Sequence, residues 1–345
     1  MQNRPVFHLF IPYLLQSLND WHQDFLFDVE AIHLSTLLTH STKTNTSQSR
    51  SINSAFFQTL NETVEELPVA YYRHQVQLNE KLNELMCADP IHLEVSMNDV
   101  TLTDKITDLT DDEAKELIKI LNQHFAQDGL EFIFGSNQCW YVSFAENETV
   151  QSHDLDSVLL QNIIDKSTKS ERRNWQVIQN EAQMLLHSSD INQQREIAGL
   201  KTVNSLWFWG AGKPKNNEFE IENIYSNNNL SSMLRADFFA KAANCESHTL
   251  PENTTLLLEQ VDCMTSTQVL LLDQLFMPAL ENTLDDFQQE LMNIDKQIIK
   301  PLLEAWQKNE IDIVIDCCDG TVLKPQKVPV WKFWLKPKKL RELVE

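Results

Sequence analysis

The residues best able to do chemistry are crowded between Trp175 and Gly212. Asn180-Glu181-Ala182-Gln183-Met184-Leu185-Leu186-His187 leads to Asn192, Arg195 and Glu196. Val203-Asn204-Ser205-Leu206-Trp207-Phe208-Trp209-Gly210-Ala211-Gly212 closes the stretch. On a helix, Asn180, Met184 and His187 share one side, with Glu181 beside Met184 and Leu185. On a strand, Trp207 and Trp209 point to one face, where two indoles can wall a pocket. Arg195 can hold a carboxylate or phosphate through two parallel hydrogen bonds. Gly210 and Gly212 fall where a strand would end. A missing Cβ lets backbone approach a ligand there, and open α/β sheets bind ligands beyond the carboxyl ends of their strands. The pattern predicts a ligand site built from Asn180, Glu181, Gln183, His187, Asn192, Arg195, Glu196, Asn204, Trp207, Trp209, Gly210 and Gly212. Arg195 is its clearest fixed cation, so a small anion is the expected ligand. The competing reading is structural: the amides satisfy buried backbone, Arg195 pairs with Glu196 or Glu181, and the indoles are core.

Other chemistries have less material. The ten histidines are scattered, and none has another three to five residues away, as helical metal ligation would need. Asp316 and Asp319 follow a strand-like run, where they could bind a divalent ion or simply shape an exposed turn. Cys317 would need a nearby base to serve as a nucleophile, and the sequence names none. The chain lacks G-x-G-x-x-G, G-x-x-x-x-G-K-[ST], G-x-S-x-G and H-E-x-x-H. Its six glycines leave little for a phosphate-cradling loop. The six cysteines, with no C-x-x-C pair, read as reduced cytoplasmic thiols rather than a disulfide framework. A net charge of −22 argues against a general nucleic-acid binder. That charge is uneven: residues 324–345 hold seven Lys or Arg against two Glu, a net of +5, leaving −27 on the rest. With Trp331, Phe333 and Trp334, this basic aromatic tail is either a docking segment for a protein partner or a strap packed on the acidic body. No apolar run approaches the roughly 18 residues of a membrane span, and Val6–Ile11 reads as a buried strand rather than a signal segment.

The elements that must position these residues follow from periodicity. The chain has 345 residues, 42% of them hydrophobic, enough for one large domain or two medium ones. Val6 to Ile11 predicts a strand, and a helix-like run extends from about Tyr13 to Leu38. The polar stretch from Ser41 to Asn53 predicts a mobile loop. Between 87 and 146 the order is strand, strand, helix, strand, strand. Ile91, Leu93 and Val95 alternate with polar neighbours, Thr110 and Glu113 form a capping box, and Gly129 ends the helix. Gly135-Ser136-Asn137 joins a hairpin. Asp154–Ile164 and Arg173–His187 predict helices, and Val203–Trp209 a strand. Lys213–Ser232 predicts a loop, Leu256–Val261 a buried strand, and Leu284–Leu302 a long helix bent at Pro301. Ile311–Ile315 predicts a last strand. Strands alternating with long helices predict an α/β sheet flanked by helices. The 87–146 stretch is its small α+β lobe, residues 1–86 the N-terminal part of the core, and residues 147–345 the remainder with the 324–345 tail.

The string from Asn180 to Gly212 resembles the bacterial RpfE-type regulatory proteins, which are often grouped with archaeal-type, cofactor-independent phosphoglycerate mutases. His92–Asp104, Asp128–Tyr141 and Trp331–Pro337 add to the resemblance. It implies a cytoplasmic protein with an alkaline-phosphatase-like α/β fold and an inserted lobe. Such mutases use two metal ions held by Asp and His, and a serine that is phosphorylated. Their first strand ends in Asp-Gly, where this chain has Pro12-Tyr13. Their last core strand carries Asp-His-Gly, where this chain has Asp316-Cys317-Cys318-Asp319-Gly320. The first expectation is therefore a regulatory or small-anion-binding protein on that scaffold, with no cofactor. The alternatives are an active mutase or phosphohydrolase, which would bring a divalent metal, and an interaction module acting through the tail.

Overall fold

The computed structural model describes residues 4–25, 29–45, 51–60, 66–80, 82, 84–97, 99–144, 148–214, 221–251, 254–260, 266–326 and 338–344. The chain opens with β1 (Val6–Phe10), α1 (Leu14–Phe25), α2 (Ile32–Thr39), β2 (Ser41–Asn45) and α3 (Ile52–Thr59). It continues through α4 (Val69–Leu78), β3 (Leu85–Val95), β4 (Val100–Lys105), α5 (Asp111–Phe125), β5 (Leu130–Phe134) and β6 (Trp140–Phe144). Next come β7 (Val150–Gln151), β8 (Lys169–Ser170), α6 (Trp175–His187), α7 (Asp190–Ile197) and β9 (Ser205–Trp209). It then runs through β10 (Ile221–Ser226), α8 (Leu230–Ala243), β11 (Glu246–Thr249), α9 (Thr255–Gln260) and β12 (Thr267–Leu271). The last elements are α10 (Phe276–Leu280), α11 (Leu284–Ile294), α12 (Lys300–Gln307), β13 (Asp312–Asp316), β14 (Thr321–Pro325) and α13 (Arg341–Val344). Contacts divide the chain into two compact units, one of residues 1–60 with 217–345 and one of residues 61–216. No helix among the described residues is long and apolar enough to cross a membrane.

The first unit is built on a seven-stranded sheet of order β11-β10-β12-β1-β13-β14-β2. Its first five strands run parallel, and β14 and β2 are antiparallel to their neighbours. Both faces are covered, as parallel strands require. Phe7 and Leu9 of β1 pack into a core with Leu34, Leu37, Phe287 and Leu302 of the helices. On the other face Phe10 lies 6.1 Å from Phe56 of α3, which stacks on Phe239 of α8 at 3.8 Å. This is the expected mixed α/β class, a central sheet flanked by helices.

The second unit is an antiparallel sheet organised around β3. At Cys87 that strand pairs with both Tyr141 of β6 and Trp209 of β9; at Ile91 it pairs with both Lys105 of β4 and Ser205 of β9. So β9 lies along one edge, and β6 and β4 follow each other along the opposite edge. Leu117, Leu121, Trp175 and Leu186 of α5 and α6 cover one face, against Met86, Trp140, Val142 and Phe208. The Thr110–Glu113 capping box starts α5, and Gly129 at φ 68° turns the chain into β5. The strand-strand-helix-strand-strand order of 87–146 lies within this larger unit, which takes in α4, α6, α7 and β9 as well.

Several segments differ from the expectations. Ser41–Asn45 is a strand, because β14 offers it an open edge from Thr321 to Pro325. Ile221–Ser226, expected as loop, is β10; Asn223 Nδ2 donates to Gln268 Oε1, so polar side chains pair with each other across adjacent strands. The 255–260 run is a helix, since a short apolar run without alternation fits either state. Asp154–Ile164 is a short 3₁₀ helix followed by a turn: the Leu160 and Ile163 N–H groups donate to Leu102 and Val100 O at 2.8 Å, fastening the segment along the edge of β4. Of the tail, Lys324 and Pro325 belong to β14, and Leu340 is buried in the first unit's core. Trp331, Phe333 and Trp334 lie outside the described residues.

Candidate functional site

The second unit holds a groove of about 410 Å³ between α6 and the ends of β3 and β9. Helix α6 forms because Asn174 caps it, accepting from the Val177 N–H, and because Trp175, Ala182 and Leu186 face the core. That orientation turns Gln176, Gln179, Asn180, Gln183 and His187 toward the groove as one polar wall. Leu93, Val95, Val100, Ile163 and Ile164 make an apolar wall, with Asn204 and Trp207 also lining the space. Among these lining residues none is Asp, Glu, Lys or Arg. A second recess of about 380 Å³ shares His187 and Asn204 and adds Asn192, Glu196 and Lys201. In the first groove the chemistry on offer is hydrogen bonding by neutral amides beside apolar surface.

Several of these amides also serve the backbone. Gln179 Nε2 donates to Leu206 O at 2.9 Å, and Thr168 Oγ1 to Phe208 O at 2.7 Å. These bonds occupy carbonyls on the edge of β9 that faces away from β3. Gln179 and Gln183 both donate to Ser205 Oγ. Asn204 accepts from Leu93 N–H at 2.7 Å and donates to Leu93 O at 2.8 Å. Asn192 does the same for Val203, and also donates to Leu186 O. The exposed side chains of Gln176, Asn180 and His187 stand on the groove rim.

The structure brings Asn180, Gln183, His187, Asn204 and Trp207 to the groove, and Asn192 and Glu196 to the adjoining recess. The other five expected residues lie elsewhere. Glu181 pairs with His124 at 2.9 Å. Arg195 is buried, with 1% of its side chain exposed, against Asp108 and Glu113, and Nε donates to Lys201 O. The argument for an anion rested on that guanidinium, so the structure removes it. Trp209 Nε1 donates to Asp89 Oδ2, which is also bound by Arg73. Gly210 and Gly212 make room for the unit's own chain rather than a ligand. A Cβ at 212 would stand 2.2 Å from Glu66 O, and Gly210 adopts φ 73° beside Val69 and Ala70.

Sequence reasoning missed the buried Arg73–Asp89 pair, whose two hydrogen bonds are 2.9 and 2.7 Å long. Tyr141 OH accepts from Arg73 Nε, and Trp140 N–H donates to Asp89. An Asp-Pro pair inside a strand-like run was the available signal, because a buried carboxylate there demands a cation.

Among the described residues, the metal centre implied by the mutase resemblance finds no matching set of ligands. Asp316 Oδ1 accepts from Cys318 N–H, and Asp319 Oδ1 from Thr321 N–H, so both carboxylates shape the turn after β13. Burial raises Asp316 to about 6 and pushes the Cys317 and Cys318 thiols up. Asp273, after β12, is held by Ser232, Asn227 and Arg235. Among the described residues no group of three or more His, Cys, Asp or Glu could hold a metal ion.

No family model matches this chain, and no curated protein does. Among solved structures, the fold is similar to that of the PH0037 protein from Pyrococcus horikoshii. The TM-score is 0.56 at 10% identity, covering 99% of this chain and 92% of that one. A cofactor-independent phosphoglycerate mutase from Thermoplasma acidophilum DSM 1728 aligns at a TM-score of 0.41 and 12% identity, covering 99% and 94%. The first likeness, at its low identity, is one of fold alone: a mixed α/β architecture shared with a solved protein.

Proposed function

We propose that this chain is a ligand-binding protein with a regulatory rather than a catalytic role, acting through the groove of residues 61–216. One observation carries the reading: α6 lines one side of the groove with amides, while β3, β4 and Ile163–Ile164 line the other with apolar residues, and Asn204 and Trp207 complete it. Ligand sites of this size combine an apolar surface with a few convergent polar groups. The uncharged lining favours a neutral polar ligand over the anion expected from Arg195. The RpfE-type resemblance supports the same reading, since its most specific string supplies α6, α7 and β9. Thermal-shift measurements on the full chain test it, with nucleosides, disaccharides and N-acetyl amino-acid amides as neutral probes and phosphate and 3-phosphoglycerate as anionic ones. A neutral probe should raise Tm in the wild type and lose its effect in the Asn180→Ala/Gln183→Ala variant. A response to anions only, or one unchanged in that variant, overturns the proposal.

A further inference from the structure

Strand β3 outruns its partner β9: their pairing ends at Ile91 with Ser205, yet β3 continues to Val95. The direction of the remaining backbone groups follows from the turn. Ser96 N–H donates to Asp99 O at 2.8 Å, so Val95 and Val100, one step in, form a pair without mutual hydrogen bonds. Val95 therefore turns its N–H and C=O to the edge that β9 has vacated. Leu93, two residues back, does the same, and Asn204 satisfies both its groups with one side-chain amide. The chain thus already places a peptide-like group on this edge. At Val95, which is 76% exposed and lines the groove, no strand among the described residues continues this edge. Across the groove Gln176, Asn180, Gln183 and His187 form a stripe along α6. The eleven steps from Gln176 to His187 span about 16 Å, the reach of about five residues of extended chain. The two recesses share His187 and Asn204, so the space is a trough rather than a closed pocket.

We propose that this trough takes an extended peptide segment, which adds as a short strand to the open edge of β3 at Val95 and lies along the amides of α6. Strand addition to an exposed edge gives affinity through main-chain bonds, while the flanking walls select side chains. The inference rests on the binding role proposed above and names its ligand class.

The test selects a phage-displayed library of random seven-residue peptides on the full wild-type chain, then measures the enriched sequences as synthetic peptides. Val95→Pro removes the edge N–H without touching the bonds between β3 and β4. Binding should weaken at least tenfold in that variant and in Gln183→Ala. Should Val95→Pro fail to fold, peptides N-methylated at alternate residues report the same bond on the wild type, one alternation losing at least tenfold and the other retaining affinity. Failure to enrich peptides, or equal binding to Val95→Pro and to both N-methylated series, overturns the strand-addition proposal. A neutral small probe that needs Asn180 and Gln183 but tolerates Val95→Pro would overturn it while leaving the groove's binding role intact.

Discussion

Asparagine side chains stand in for a neighbouring strand at three places in the 61–216 unit. Asn122 bonds both backbone groups of Phe132, Asn192 those of Val203, and Asn204 those of Leu93. An amide carries one acceptor and two donors in a plane, as a peptide group does in part, so it can complete a ladder where no strand reaches. Asn192→Ala strands three buried groups and should lower stability by about 2–4 kcal/mol in denaturant titrations, without abolishing the fold. Residue type alone could not tell this use from ligand binding, because the same donors and acceptors serve both. Arg195 was illegible for another reason. Its partners Asp108 and Glu113 are distant in sequence, whereas the local candidates were Glu181 and Glu196. Asp316 yields a pH prediction. Its carboxyl, raised by burial to about 6 from 3.8, favours the neutral form in the folded state. Stability from this group is fully present below about pH 4 and is lost as pH rises through about 6. Asp316→Asn keeps the oxygen that accepts from Cys318. It should be near neutral at pH 4 and stabilising at pH 7.5, by an amount of the order of 3 kcal/mol. Equal Tm shifts at both pH values would contradict that sign.

At the element scale, periodicity found the helices with clear caps and faces, such as α5 and α6, and the strand of alternating Ile91, Leu93 and Val95. It failed where partners decide the state. The polar Ser41–Asn45 segment is a strand because β14 supplies its bonds, and no local apolar pattern announces that. The long helix expected to bend at Pro301 is instead interrupted by a π turn at Asp295–Ile299, with Pro301 in the first turn of α12. That turn has a use. Asp295 is buried and accepts from Leu34 N–H at 2.6 Å and bonds His33 Nδ1 at 2.8 Å, so it caps α2 from another helix. The residue at α2's own N-cap, Ala31, has no side chain able to do so. A π turn leaves backbone groups without their usual helical partners, and Thr254 Oγ1 donates to one of these carbonyls, that of Gln297, at 2.8 Å. Asp295→Ala should cost about 1–2 kcal/mol through loss of the cap. Amide exchange should quicken in the first turn of α2 before it does in β1. Uniform acceleration across the first unit would show that Asp295 supports the core rather than the cap.

Among the described residues, two large buried clusters each draw on one unit alone. The first joins side chains between Phe7 and Leu38 with others between Tyr225 and Leu343, and the second uses only residues between Met86 and Ala211. Neither cluster borrows a residue from the other. The second unit's ends also meet: Gly212 N–H donates to Leu67 O at 3.1 Å and Ala70 N–H to Gly210 O at 3.0 Å. Ser152 adds a bond from its N–H to Glu66 at 2.6 Å. Close termini and a private core are what an independently folding insertion needs. Gly212 is required there because any side chain would collide with the Glu66 carbonyl. Residues 61–216 expressed alone should therefore unfold in one cooperative transition, seen identically by tryptophan fluorescence and far-ultraviolet circular dichroism. Gly212→Ala in that fragment should lower its midpoint by parting the two ends while leaving the sheet signal below the transition unchanged. A fragment lacking cooperative unfolding would mean that the second core depends on the rest of the chain.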